Sequence, residues 1–185
     1  ALPISDIRES AFGAKALASF MISAGFHFQM GVTSSTKTVY KHTDPVPGGG
    51  NGFAMLQSLP LWKNPLSVGT KKEILKVFNS RPDNVNGELL RIIILDSKYK
   101  EGIDLFDVKY VHLLEPAIAV SDLKQAVGRA TRFCGQKGLP FAPRRGWKLN
   151  VYIYSTILPP RAPFLIGEST NNDHIDAHEL MLAKS

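Results

Sequence analysis

The chain has 185 residues, 22 Lys and Arg against 16 Asp and Glu, a formal net charge of +6, and 44% hydrophobic residues. That balance suits one globular domain with a sizeable core, leaves no room for two full domains, and argues against a disordered chain. Cys134 is the only cysteine, which excludes a disulfide scaffold and fits a reducing compartment. No stretch approaches ~18 consecutive apolar residues, so no membrane span is expected. The opening Ala1-Leu2-Pro3-Ile4-Ser5 lacks a Met, a basic region and a long apolar region. It reads as neither a signal peptide nor a natural start, and the chain is expected to be a domain cut from a longer protein. The basic balance is a modest pointer to polyanionic partners.

In chain order, residues 1–5 form a short apolar run suited to the end of a buried strand. Residues 11–26 carry Ala14, Leu17, Phe20, Met21 and Ala24 at helical spacing, with Gly25 as a stop. Residues 27–32 read as a second strand. Residues 33–52 hold Ser, Thr, Pro and three consecutive glycines, the chemistry of a mobile loop inserted into the fold. Residues 53–57 suggest another strand. Thr70-Lys71-Lys72-Glu73 has the capping-box pattern, and Ile74, Leu75, Val77 and Phe78 supply the apolar face of the helix after it. Residues 81–87 read as a polar turn. Residues 89–95, Leu-Leu-Arg-Ile-Ile-Ile-Leu, are the strongest strand signal, as expected of a central parallel strand buried on both faces. A further strand is expected at 108–114. Ser121 is a candidate N-cap for a helix reaching about Phe133. A basic loop at 135–146 and a strand at 148–158 follow, then a mixed tail with a short amphipathic helix at 176–184. Strands alternating with helices predict an α/β domain with a parallel sheet.

The most informative segment is Gln125-Ala126-Val127-Gly128-Arg129-Ala130-Thr131-Arg132. On a continuous helix Gln125, Arg129 and Arg132 share one face. Gly128 costs roughly 1 kcal/mol relative to Ala inside a helix, which a close approach by a ligand or another backbone explains. Guanidinium is a planar, permanently charged fork of donors suited to phosphate oxygens. Two of them beside an open glycine suit charge stabilisation on a transferring γ-phosphoryl group. Arginines pairing with surface acids on an amphipathic helix are the plainer explanation of the same spacing. Upstream, Asp96-Ser97-Lys98-Tyr99-Lys100-Glu101-Gly102-Ile103-Asp104-Leu105 follows the central strand at the carboxyl edge of the sheet, where open α/β sheets place ligands. A turn with Gly102 at positive φ is the simpler account there.

The Q-x-x-G-R-x-x-R string of Gln125 to Arg132 resembles motif VI of superfamily 2 helicases, and Asp96 to Leu105 resembles their motif V. Residues 1–16, a strand end followed by Ser5-Asp6-Ile7-Arg8-Glu9-Ser10 and a helix, resemble motif IV more weakly. The resemblance is to the C-terminal RecA-like domain and covers roughly Ile4 to Leu158. The wording of Lys100 to Pro116 is similar to the transcription-linked helicases of nucleo-cytoplasmic large DNA viruses, of the poxvirus early transcription factor type and its African swine fever virus counterpart. Motif V here lacks the small-residue run of many cellular members, and residues 33–52 look lineage-specific.

The resemblance implies a RecA-like domain over residues 1–158 and an extension at 159–185 leading to a following region. It implies that Arg129 and Arg132 act as arginine fingers with Gln125 beside them, and that Gly102, Asp104 and Gly128 border the nucleotide. Asp104 would accept a hydrogen bond from the ribose or from an arginine finger. Ser5, Arg8, Ser97 and Lys98 would meet the nucleic-acid backbone, DNA or RNA. No G-x-x-x-x-G-K-[ST] and no D-E-x-[HD] occurs in the sequence, so the phosphate cradle and the Mg2+ ligands are expected on a preceding RecA-like domain. ATP would then lie between the two domains, and this chain alone would be inactive. The viral likeness implies a role with viral transcription machinery, in the cytoplasmic viral factory and the virion.

The alternative is a non-catalytic RecA-like scaffold that binds nucleic acid or protein, although such a scaffold has no need of all three of Gln125, Arg129 and Arg132. A small-molecule enzyme would need a Gly-rich first turn, and residues 5–10 contain no Gly. His174 and His178, with Asp173, Asp176 and Glu179, carry only a faint metal pattern, and no metal is expected in this chain. Lys137, Arg144, Arg145, Trp147 and Lys148 form a basic, aromatic-bearing cluster suited either to backbone phosphates or to solvent.

Overall fold

The computed structural model describes residues 2–5, 13–33, 37–56, 66–96, 103–114 and 120–154, with 2–5, 96, 120 and 122 described by backbone alone. Strands β1 (Leu2–Ser5), β2 (His27–Phe28), β5 (Gly52–Leu56), β6 (Ile92–Asp96), β7 (Tyr110–Leu113) and β8 (Asn150–Ile153) form one sheet in the order β2-β5-β6-β1-β7-β8. Every pairing in it is parallel. Helices α1 (Ala14–Ser23), α2 (Val68–Phe78) and α3 (Val120–Gly128) make the crossovers. With this strand order, crossovers of the usual right hand would put α1 on one face of the sheet and α2 and α3 on the other. This is the expected α/β class, and the architecture is consistent with a RecA-like fold.

The core lies where the sequence is most apolar. Phe53 to Leu56 and Ile93 to Leu95 are buried on both faces of the sheet, and Leu90, Ile74, Leu105 and Val111 pack onto them. Helix α1 buries Ala14, Ala18 and Met21, spaced one turn apart, with Leu17 partly buried beside them. Phe20, expected on that face, is instead 70% exposed, because it lies off the stripe those residues define. Helix α2 buries Thr70, Ile74 and Phe78.

Several boundaries differ from the sequence reading. The cap of α2 is Ser67, whose Oγ accepts from the Thr70 amide at 3.0 Å, so Thr70 sits inside the helix. Ser121 likewise lies within α3. Residues 27–32 are two strands, because the chain leaves the main sheet after Phe28. β3 (Met30–Val32) then pairs antiparallel with β4 (Thr38–Tyr40). The expected loop at 33–52 therefore contains a strand, held partly by the buried Gln29, whose Oε1 accepts from Tyr40 Oη at 2.9 Å. On the outer strands, His112 and Tyr152 stack at 4.9 Å, and His112 Nδ1 and Tyr154 Oη are 2.8 Å apart. The tail at 176–184 lies outside the described residues.

Candidate functional site

Helix α3 ends at Gly128, whereas a helix to Phe133 was expected. Beyond it the bonds tighten to three-residue turns, Ala130 N to Val127 O at 3.0 Å and Thr131 N to Gly128 O at 3.4 Å. Glycine is the poorest helix former after proline, and it sits here where the helix stops. Arg129 and Arg132 therefore project from a turn and do not share one helical face with Gln125. Ala126 and Ala130 are buried against the core, which anchors the turn on the sheet. A Cβ at Gly128 would meet nothing within 4 Å among the described residues, so none of them supplies the close approach expected there.

The two arginines nevertheless converge. Arg132 Nη1 lies 2.8 Å from Asp104 Oδ1, and both side chains are about half exposed. Arg129 Nη1 donates a long hydrogen bond, 3.4 Å, to the Ile103 carbonyl. The tail end of the motif V-like segment and the motif VI-like turn thus meet, 26 residues apart in sequence at the Arg129–Ile103 contact. The start of that segment at the carboxyl edge, with Ser97, Lys98 and Gly102, lies outside the described residues, as does Arg8. Ser5 is described as the last residue of β1, level with Asp96 in the ladder. Gln125 is exposed on α3, and no contact among the described residues ties it to the arginines.

Residues 103–107 lie against the C-terminal end of α2. The Asn79 side chain donates to the Asp104 carbonyl at 2.9 Å and accepts from the Phe106 amide at 2.8 Å. Arg81 forks onto both Asp107 carboxylate oxygens, at 2.5 and 3.0 Å, and its Nη2 donates to the Gly135 carbonyl at 2.6 Å. The Phe106 ring lies 4.7 Å below the guanidinium. Asp107 also accepts from the Gly138 amide at 2.8 Å, and a Cβ at Gly138 would fall 2.5 Å from Asp107 Oδ2, so any larger residue there would push the carboxylate aside. Asn79, Arg81 and Asp107 were not singled out in the sequence, where 81–87 read as a polar turn. Their partners lie 25 to 54 residues away, and no local spacing announces them.

Among the described residues, no group of three or more His, Cys, Asp or Glu is placed to hold a metal, and no helix is long and apolar enough to cross a membrane. His174 and His178 lie outside those residues. In the basic cluster, Trp147 packs edge-on against Phe141 and donates to the Leu139 carbonyl, while Lys137, Arg144, Arg145 and Lys148 are exposed. Cys134 is half-buried at φ 61° and offers its carbonyl to Arg81, within the turn that follows Arg132.

No protein-family model matches the chain. It is 33% identical over 99 residues to "Putative ATP-dependent RNA helicase R563" of Acanthamoeba polyphaga mimivirus, a match covering 54% of this chain and 17% of that protein. It is 33% identical over 86 residues to "Putative ATP-dependent RNA helicase R350" of the same virus, covering 46% and 10%. It is 37% identical over 68 residues to "Uncharacterized killer plasmid pGKL-2 helicase" of Kluyveromyces lactis, covering 37% and 11%. The chain thus spans less than a fifth of the length of these relatives. By sequence it is similar to proteins named as helicases in a mimivirus and on a yeast killer plasmid, a likeness that supports the helicase superfamily in general and not the poxvirus type in particular.

Proposed function

We propose that this chain is the second RecA-like half of an ATP-dependent nucleic-acid helicase or translocase. Residues 1–158 form the domain and 159–185 lead onward from it. The observation that carries this reading is the meeting of Arg132 with Asp104, and of Arg129 with Ile103, on a parallel α/β sheet whose relatives are named helicases. In this reading Arg129 and Arg132 reach across a cleft to ATP held by a preceding domain and stabilise charge on the γ-phosphoryl group. Gly102, Asp104 and Gly128 border the nucleotide, and Gln125 lies beside the arginines. The ion pair of Arg132 is about half exposed, so it is worth ~1 kcal/mol or less. The pair uses Nη1, and a guanidinium carries five N–H donors, so the others can take a phosphate while Asp104 holds the group in place. Mg2+ belongs to the preceding domain, because this chain supplies no acidic box for it. Ser5, Arg8, Ser97 and Lys98 are assigned to the nucleic-acid groove, and the setting to viral transcription in the cytoplasmic factory and virion.

The test is ATP hydrolysis by the full-length polypeptide, with and without single-stranded and duplex nucleic acid, beside Arg129→Ala and Arg132→Ala. Each variant is expected to lose roughly a thousandfold or more in kcat while ATP affinity, measured in parallel, largely survives. Parent-like hydrolysis by both variants would make the arginines structural and leave a RecA-like scaffold as the better reading.

A further inference from the structure

A phosphoryl-transfer arginine is useful only if its guanidinium is held ready, because misplacement by about 1 Å can cost roughly a hundredfold in rate. Arg129 and Arg132 sit on a turn, without a helical frame of their own. Among the described residues they meet the strip of chain from Ile103 to Asp107, through the Ile103 carbonyl and the Asp104 carboxylate. That strip is in turn gripped from the end of α2. Asn79 closes both of its amide hydrogen bonds on it, to the Asp104 carbonyl and from the Phe106 amide. Arg81 donates from Nε and Nη2 to the Asp107 carboxylate, and Nη2 is shared with the Cys134 and Gly135 carbonyls just beyond Arg132. Asp107 and Cys134 both hold left-handed backbone, φ 54° and 61°, a conformation that non-glycine residues keep only when the surroundings enforce it.

We infer that Asn79 and Arg81 are positioning residues for the arginine pair: two side chains at the C-terminal end of α2 that lock the 103–107 strip to the 129–135 turn, so that Arg129 and Arg132 are presented as one unit. This rests on the arginine-finger reading above. Asn79 acts through the backbone of Asp104, whose carboxylate meets Arg132. Arg81 acts through the Asp107 carboxylate on one side and the Cys134 and Gly135 carbonyls on the other, and its planar fork meets both carboxylate oxygens at once, a geometry the point charge of a lysine does not reproduce.

The experiment is a double-mutant cycle on the full-length polypeptide, with kcat and KM for ATP measured at saturating nucleic acid. Asn79→Ala and Arg81→Lys are each combined with Arg132→Ala, and circular dichroism and thermal melts normalise for folded protein. Each positioning variant alone is expected to lower kcat about tenfold with KM for ATP little changed. In the Arg132→Ala background the same substitution is expected to cost several-fold less than in the parent, since only Arg129 is left to be positioned. An equal loss in both backgrounds, or a fall in melting temperature with kcat intact, overturns the proposal and leaves Asn79 and Arg81 as fold stabilisers. If Arg132→Ala alone hydrolyses like the parent, the arginine-finger reading fails, and the positioning role falls with it. The single-variant measurement tells the two failures apart.

Discussion

The Arg81–Asp107 pair is the part of the molecule where a single atom matters most. The Asp107 side chain is 5% exposed and that of Arg81 28%, so each charge has given up much of its water. Removing one partner from such a pair is far costlier than never having had it, because the other charge stays buried without compensation. Asp107→Asn is therefore expected to destabilise the chain by about 3 kcal/mol, read as a shift of the urea midpoint at unchanged slope. His112 gives the opposite kind of electrostatics. Burial beneath the tyrosine rings pushes its pKa below the ordinary histidine value, because the charged form is penalised. Its folded pKa lies under its unfolded one, so the contribution is fully present above about pH 6.5 and fades as acid protonates the ring. The melting temperature should fall on going from pH 8 to pH 5, and less steeply in His112→Gln. At this scale the sequence was partly legible. Arg129, Arg132 and Asp104 stand in recognisable strings, whereas Asn79, Arg81 and Asp107 acquire meaning only from partners brought in by the fold.

Among the elements, α3 shows most clearly where a local rule and a global one compete. Spacing alone carries the helix on to Phe133, since nothing in Arg-Ala-Thr-Arg forbids it. The glycine at position 128 and the burial of Ala130 in the core end it earlier. The end of that helix leads to a direct prediction. With open space around its absent Cβ and no positive φ, Gly128→Ala is expected to leave this chain as stable or up to ~1 kcal/mol more stable. In the full-length polypeptide the same methyl would enter the cleft proposed for the nucleotide, and hydrolysis should fall by about tenfold or more. Parent-like hydrolysis together with the gain in stability would mean that the glycine only ends a helix. The start of α2 shows the converse. The Thr70 to Glu73 pattern is a genuine cap signature, but Ser67 three residues earlier has the extended backbone a cap requires and takes the role. The β3–β4 hairpin was hidden because three-residue strands scarcely establish an alternating pattern.

For the molecule as a whole, the alternation of strands and helices made the parallel sheet legible, and the apolar run before Asp96 correctly marked its centre. Strand order was not legible, because it depends on which crossover passes over which strand. The order places β1 between β6 and β7, with Ile4 level with Leu95 on one side and Leu113 on the other. Removing residues 1–5 therefore takes a strand from the interior of the sheet, parting β2-β5-β6 from β7-β8. The truncated chain is expected to lose its cooperative thermal transition, as followed by circular dichroism; a sharp melt would show that the two halves can close on each other. The same placement has a consequence in time. The first strand is synthesised about ninety residues before Leu95, which at roughly 5–20 residues per second is a wait of about 5 to 20 s. Throughout that interval its two hydrogen-bonding edges have no native neighbour, so this strand stays open to mispairing, and safety comes only when β6 and then β7 arrive.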